Sequence, residues 1–129
     1  MRPEIRETVR LRARKRCEYC LLHEDDSPAV SHQVEHIIPR KHGGSDALDN
    51  LALACIACNL YKGPNLSGID PDTSALTPLF HPRTDQWKQH FEFDGLEITG
   101  LTAVGRATMV VLRLNDPVHL RLRIAADRK

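Results

Sequence analysis

Four cysteines stand in two pairs with the same internal spacing, and thiols in this pattern suit a metal ion. The pairs are Cys17 with Cys20 and Cys55 with Cys58, each with two residues between its members. Disulfides are the alternative, but the chain shows no secretion signal, and a redox CxxC pair normally stands singly beside a βαβ pattern. Four thiolates are enough to close a tetrahedral zinc site. We therefore predict one structural zinc on the four cysteines.

A second set of side chains, between and just after the cysteine pairs, has the chemistry to hydrolyse a phosphodiester bond. That reaction needs a base to activate water and positive charge on the phosphate. A neutral histidine, with an ordinary pKa of about 6.5, can accept a proton from water at neutral pH. Mg²⁺ supplies the charge and takes one or two oxygen ligands from the protein, the rest being water and phosphate. The candidates are Glu35, His36, Asn50 and Asn59.

The order of these residues resembles the HNH endonuclease family. The chain reads Glu-His-Ile-Ile-Pro at 35–39, Gly-Gly at 43–44, Asn-Leu at 50–51 and Cys-Ile-Ala-Cys-Asn at 55–59. The ββα-metal finger of that family has an acid and a His before a short apolar run and Pro, then Gly-Gly, Asn-Leu and Cys-x-x-Cys-Asn. The resemblance covers residues 17–62, about a third of the chain, with both cysteine pairs in register.

Position by position, the resemblance implies a metal-dependent endonuclease acting on nucleic acid, with DNA as the favoured substrate. His36 would be the general base, and Glu35 and Asn59 would hold a catalytic Mg²⁺ or Mn²⁺. Asn50 would stabilise the loop between the strands and hold His36 in orientation. Asp is common in the family where this chain has Glu35, and some members have His in place of Asn59. A neutral amide oxygen at that position favours Mg²⁺ or Mn²⁺ over the softer Ni²⁺ or Zn²⁺.

The adjacency of Glu35 and His36 raises a geometric question, because neighbours on a regular strand point to opposite faces. They can serve one site if the strand ends or bends there, or if the phosphate lies between metal and base. Pro39, close behind, is compatible with either arrangement. Taken singly, each of these polar residues is more simply a surface, turn or capping residue. Their common order and spacing is what favours catalysis.

Basic side chains are concentrated near the N-terminus, although the formal net charge is only +1. Residues 1–16 hold seven basic residues against two acidic ones. Such a block can contact phosphates, and a solvated, arginine-rich helix face is an equally good interpretation. The candidate contacts to nucleic acid are Arg10, Arg12 and Arg14, together with Arg40 and Lys62 near the site. Five histidines match no motif and receive no catalytic role: His32, His42, His81, His90 and His119.

Composition sets limits on the class of protein. The chain has 129 residues, of which 41% are hydrophobic and 27% charged, as in one ordinary globular domain. No apolar run approaches the roughly 18 residues of a membrane span, and the basic N-terminal residues are not followed by the apolar core of a secretion signal. We expect a cytoplasmic protein with no membrane association. Its oligomeric state stays open.

Local patterns predict the elements that position these residues. Pro3 can begin a helix that runs to about Lys15. Residues 30–36 and 51–54 suit two short strands, and a short helix begins at Cys58 and stops at Gly63. An acidic loop that includes Pro28 precedes the first strand, and the proline-rich residues 63–83 suggest an irregular wrap.

The C-terminal part carries its own signals. Residues 91–98 have an Asp-Gly turn between alternating apolar positions, which predicts a β-hairpin. Thr102 can cap a helix that ends near Asn115. Asp116-Pro117 suits the start of another helix, although the alternation that follows also fits a strand. Trp87 suits the core better than base stacking.

Together these patterns predict the α+β class: a treble-clef-like ββα-metal finger with a structural zinc, an N-terminal helix, and a C-terminal β-hairpin with helices. We expect a single domain over residues 1–129, with its core at 17–62 and an extension at 84–129. The rival hypothesis is a non-catalytic zinc finger that binds nucleic acid or another partner. A pure binder, however, has no need of Glu35, His36 and Asn59 together.

Overall fold

The computed structural model of the protein describes residues 1–27 and 30–128. Pro28 of the predicted acidic loop and Lys129 at the end of the predicted extension lie outside the described residues. The described chain has five α-helices and six short strands that form three antiparallel pairs, which confirms the α+β class. None of the helices in these described ranges has the length and apolar character needed to cross a bilayer.

The second helix and the first strand pair form a ββα unit. Strand β1 (Gln33–His36) pairs antiparallel with β2 (Leu51–Ala54), and helix α2 (Ile56–Lys62) follows directly. Helix α2 begins earlier than predicted because the sulfur of Cys55 caps it by accepting a hydrogen bond from the amide of Cys58. Strand β1 is shorter than predicted, since it starts at Gln33 and not at residue 30.

Strand β2 is buried on both faces, which explains its unbroken apolar sequence. Leu51 and Leu53 pack against Val9 of helix α1 (Pro3–Arg12), while the alanines of β2 belong to the larger core that contains the cysteines. Helix α1 ends before the predicted Lys15 because residues 14 and 15 take positive φ angles of 56° and 58°. This turn directs the chain into the first cysteine pair.

The proline-rich region 63–83 contains a hairpin that the sequence analysis did not predict. Strands β3 (Ser67–Ile69) and β4 (Leu76–Pro78) pair antiparallel, so the prediction of a wholly irregular wrap is wrong there. Strands of three residues are too short to display a periodic pattern. The hairpin packs closely on the fourth helix: a Cβ atom on Gly68 would lie 2.6 Å from Cγ2 of Val111.

The predicted hairpin of the C-terminal extension is confirmed, although a short helix that was not predicted precedes it. The helix after it ends at Leu112, before the predicted Asn115, because Arg113 takes a positive φ of 52°. The elements are α3 (Trp87–His90), β5 (Phe91–Asp94), β6 (Glu97–Gly100), α4 (Ala103–Leu112) and α5 (Pro117–Asp127). The hydroxyl of Thr102 accepts a hydrogen bond from the amide of Gly105 at 3.0 Å, as expected of a helix cap. The segment after Asp116 is a helix and not the alternative strand.

One core joins the ββα unit and its cysteines to this extension. Phe80, Phe91, Ile98 and the end of α4 pack in the same buried cluster as the four cysteines. The ring of Trp87 lies 5.2 Å from that of Phe91, and its indole N–H donates to the carbonyl of Tyr19 at 2.9 Å. Trp87 therefore has a packing role. Residues from both parts of the chain therefore share one hydrophobic core.

Candidate metal centre and catalytic cleft

The four cysteines converge into one buried cluster. Their thiols are free, and all four sulfur atoms lie within 4.8 Å of one another. The sulfurs of Cys20 and Cys55, one from each pair, are 3.7 Å apart. A tetrahedron with Zn–S bonds of about 2.3 Å has edges of about 3.8 Å. The cluster therefore has the donors and the spacing for the predicted structural zinc.

Backbone amides support the sulfur atoms. The amide of Cys20 donates to the sulfur of Cys17 at 3.5 Å, and that of Cys58 donates to the sulfur of Cys55 at 3.4 Å. Burial raises the pKa of the Cys17 and Cys58 thiols, whereas hydrogen bonds from neighbouring thiols lower that of Cys55. A bound cation is what would stabilise all four as thiolates.

His119, which matches no motif in the sequence, lies beside this cluster. Its Nε2 atom is 3.2 Å from the sulfur of Cys58, and its Nδ1 atom is 2.8 Å from the carbonyl oxygen of Arg113. The side chain is 1% exposed. It stands 61 positions after Cys58 and matches no motif, so no signal in the sequence links the two residues.

A separate open cleft of about 340 Å³ lies along β1 and α2. Glu35 and His36 at the end of β1, Asn59 of α2, and Arg40 all line it. Because β1 ends at His36, the two neighbours reach one cleft despite the alternation of a regular strand. Residues that the motif separates by more than twenty positions are thus brought together.

Asn50 closes the loop between the two strands. Its side-chain oxygen accepts from the amide of Ile38 at 2.9 Å, and its amide nitrogen donates to the carbonyl oxygens of Ile38 and Ser45 at 2.9 Å and 2.8 Å. Gly44 lets the loop pass close to these hydrogen bonds, since a Cβ there would lie 1.6 Å from the carbonyl oxygen of Ile38. The loop that follows His36 is therefore held at both ends.

Glu35 is 6% exposed, and its two carboxylate oxygens have different partners. One accepts a hydrogen bond from the hydroxyl of Tyr19, and the other lies 3.1 Å from the ammonium nitrogen of Lys62. Burial raises the pKa of Glu35, and the positive charge of Lys62 opposes this shift. Lys62 thus favours the ionised carboxylate inside the protein.

The position of Lys62 bears on its predicted contact with phosphate. Its side chain is 2% exposed, and its ammonium group also donates to the carbonyl oxygen of Ile37 at 3.0 Å. The group faces the protein interior, so a contact with phosphate would require this ion pair to open. The sequence could not distinguish this buried lysine from a surface one.

His36 and Arg40 share a partner that the sequence analysis missed. The Nε2 atom of His36 is 2.7 Å from Oδ1 of Asp46, and the guanidinium of Arg40 donates to both oxygens of that carboxylate at 2.8 Å and 3.0 Å. The bonds from His36 and Arg40 lower the pKa of Asp46. Because a carboxylate only accepts, Nε2 carries the hydrogen, and the neutral ring keeps its lone pair on Nδ1.

Asn59 has one side of its amide engaged. Its nitrogen donates to the side-chain oxygen of Gln33 at 2.7 Å, across the gap between α2 and β1. This bond sets the orientation of the amide and leaves its oxygen as the atom that could face a metal ion. Amide and carboxylate oxygens are ligands of the hard type that Mg²⁺ and Mn²⁺ prefer.

The three N-terminal arginines have different surroundings. Arg10 makes a double hydrogen bond to Glu24, with both distances 2.5 Å. Arg12 donates to the carbonyl oxygens of Leu48 and Leu51 at 3.0 Å and 2.7 Å, and so ties α1 to β2. Arg14 is exposed. None of the three is among the residues that line the cleft.

Residues 17–65 match the family described as HNH endonuclease. The matched segment begins at the first zinc-site cysteine and ends just beyond α2, so it contains both cysteine pairs and the whole ββα unit. It spans less than half of the chain and leaves out helix α1 and everything after residue 65. No curated protein and no solved structure is similar enough to the chain to count as a match.

Proposed function

We propose that this protein hydrolyses phosphodiester bonds of nucleic acid, with DNA as the favoured substrate and a divalent metal as cofactor. The match of residues 17–65 to the HNH endonuclease family supports the proposal. The convergence of Glu35, His36 and Asn59 on one open cleft is the observation that carries the proposal. An acid, a base and an amide in one place serve hydrolysis, whereas binding alone does not require them.

Glu35 and Asn59 would hold Mg²⁺ or Mn²⁺. When bound, the ion supplies positive charge to the phosphate and to the leaving oxygen. Ligation requires Glu35 to be ionised, and the ammonium of Lys62 at 3.1 Å favours that state against the effect of burial. Lys62 is therefore assigned to the support of Glu35 in this proposal, in place of a contact with phosphate.

His36 acts as the general base. With the hydrogen of Nε2 donated to Asp46 at 2.7 Å, the lone pair of Nδ1 accepts the proton of the attacking water. Asn50 and Gly44 fix the loop that carries Asp46 and so keep the ring in one orientation. Arg40, whose side chain is 66% exposed at the rim of the cleft, can contact a phosphate of the substrate.

A nicking assay on supercoiled plasmid tests this proposal. Protein treated with chelator and then reloaded with zinc alone should leave the plasmid intact, and addition of Mg²⁺ or Mn²⁺ should restore cutting. RNA and branched DNA, offered in parallel, identify the substrate class. Cutting that persists without Mg²⁺ or Mn²⁺ would contradict the assigned cofactor.

One observation favours the rival function, a zinc finger that binds nucleic acid without cutting it. Both oxygens of Glu35 already have protein partners, Tyr19 and Lys62, and such a site can be stable without a metal. Binding and cleavage assays distinguish the two functions. If the protein shifts DNA or RNA in a gel but cuts neither with any divalent metal, the binding function replaces the enzyme.

A further inference from the structure

We propose that helix α5 is part of the zinc centre: His119 donates its Nε2 hydrogen to the thiolate of Cys58, and this bond strengthens the hold on zinc. Helix α5 lies outside the matched segment 17–65, which contains Cys58. The inference does not depend on nuclease activity, so either proposal can fail while the other stands.

The contact has the geometry of a bond and not only of packing. Nε2 of His119 lies 3.2 Å from the sulfur of Cys58, and Nδ1 donates to the carbonyl oxygen of Arg113 at 2.8 Å, which fixes the ring in this direction. With zinc bound, Cys58 is a thiolate and only accepts hydrogen bonds. Nε2 must then be a donor, as Nδ1 is toward the carbonyl oxygen of Arg113, so both ring nitrogens carry a hydrogen and the positively charged ring faces the anionic cluster. His119 does not join the cluster of four sulfurs as a fifth ligand.

A second basic side chain of α5 lies near the same cluster. Arg123, one helical turn after His119, is buried and donates to the carbonyl oxygen of Leu96 at 3.0 Å and to the side-chain oxygen of Asn115 at 3.1 Å. Arg123 and Cys20 line the same depression. Four thiolates around Zn²⁺ leave a net negative charge, so a buried cation beside them offsets it.

Helix α5 thus brings one hydrogen-bond donor, His119, to Cys58, and one buried cation, Arg123, to the surroundings of Cys20. Groups that hydrogen-bond to metal ligands typically change metal affinity by about ten- to a hundredfold. The same bond holds the helix in place, and a contact that strengthens zinc binding is strengthened by zinc to the same extent. Zinc binding and the docking of α5 should therefore stabilise each other.

The test uses the full chain with three variants and measures the rate of zinc release to a chelating dye. His119→Leu fills much of the ring volume without a donor, and His119→Gln retains an N–H group. Val118→Ala, at an exposed neighbour on the same helix, is the control. We expect zinc release about tenfold faster or more for the Leu variant, a smaller effect for Gln, and none for Ala.

Replacement of zinc by cobalt gives an absorption band that a change in packing alone would not shift. Loss of a hydrogen bond to a thiolate raises the energy of its sulfur electrons, so the sulfur-to-cobalt charge-transfer band of His119→Leu should move to longer wavelength. Equal release rates for the Leu and Gln variants, with the band at its wild-type position, would reduce His119 to a packing residue and overturn the proposal.

A measurement on the wild-type chain decides the question if His119→Leu fails to fold. With an NMR-active cadmium isotope in place of zinc, the Nε2 hydrogen of His119 should be protected from exchange and should show through-bond coupling to the metal across the sulfur. An Nε2 atom without a hydrogen in the metal-loaded protein would contradict the bond.

Discussion

At the scale of single residues, Asp46 is the side chain with the sharpest consequence for the proposed mechanism. If it orients His36, Asp46→Ala should lower the cleavage rate by about ten- to a hundredfold, because a misplaced catalytic group loses its alignment. Asp46→Asn keeps an oxygen that accepts from Nε2 and should retain most of the activity. The exposed Asp49, in the same loop, is the control. Faster cleavage by Asp46→Ala would mean that Asp46 blocks the site.

The metal ligands can be tested separately from the zinc site. Glu35→Gln and Asn59→Ala should raise the Mg²⁺ or Mn²⁺ concentration needed for half-maximal cleavage, while the zinc content stays at one per chain. Gln33→Ala removes only the partner that orients the amide of Asn59 at 2.7 Å, so it should have a smaller effect. A metal titration that is unchanged in all three variants would show that the ligand assignment is wrong.

The sequence predicted the residues of the cleft but not their partners. Glu35, His36 and Asn59 could be identified because each occupies a position in a known motif. Asp46 lies in a loop whose path depends on the hydrogen bonds of the Asn50 side chain. His119 reaches Cys58 only through the packing of α5. Burial of Lys62 follows from its pairing with Glu35. Contacts of this kind depend on the tertiary structure, and local spacing does not report them.

At the scale of elements, helix α1 combines arginines with different tasks, and substitution should separate them. Arg14→Gln should weaken binding to all sequences alike and reduce the salt dependence by about one phosphate contact, since this side chain is exposed. Arg12→Gln should leave the salt dependence unchanged and lower the urea midpoint instead, because Arg12 bonds two carbonyl oxygens. Binding measured across a salt series checks both.

An unchanged salt slope for Arg14→Gln would leave α1 as a solvated helix that only supports β2. Substitution of Arg10 would test neither the contact with nucleic acid nor the support of β2 clearly. Its double hydrogen bond to Glu24 already neutralises its charge, so Arg10→Gln would leave that carboxylate without its partner. Of the three arginines predicted to contact nucleic acid, the exposed Arg14 is therefore the one to substitute first.

Elements with a strong local signal were predictable, and those held by distant contacts were not. The hairpin over residues 91–100 is encoded by alternation and by the glycine at its turn, where Gly95 has a φ of 63°. The hairpin of β3 and β4 has no such pattern. It is stabilised by an ion pair in which Arg106 of α4 donates to Asp70 at 2.9 Å through two nitrogens. Local sequence patterns do not reveal such a pair, because it depends on the position of α4 in the fold.

At the scale of the whole molecule, the cysteine cluster couples the finger to the C-terminal extension. Cys55→Ser should unfold the chain and not merely slow the enzyme, because zinc on four thiolates contributes on the order of 10 kcal/mol to folds of this kind. Elemental analysis should find one zinc per wild-type chain, and circular dichroism should follow its loss. Zinc-free protein with full helical content would refute this coupling.

The replacement of His36 by alanine tests the central claim most directly. His36 is a ligand of neither metal in the proposed mechanism, so the variant should keep its fold, its zinc and its gel shift with DNA. Without the proton acceptor, cleavage of supercoiled plasmid in Mg²⁺ or Mn²⁺ should fall by at least about a hundredfold. Cleavage by His36→Ala at the wild-type rate would contradict the mechanism, because the nuclease activity would then come from another base or another protein.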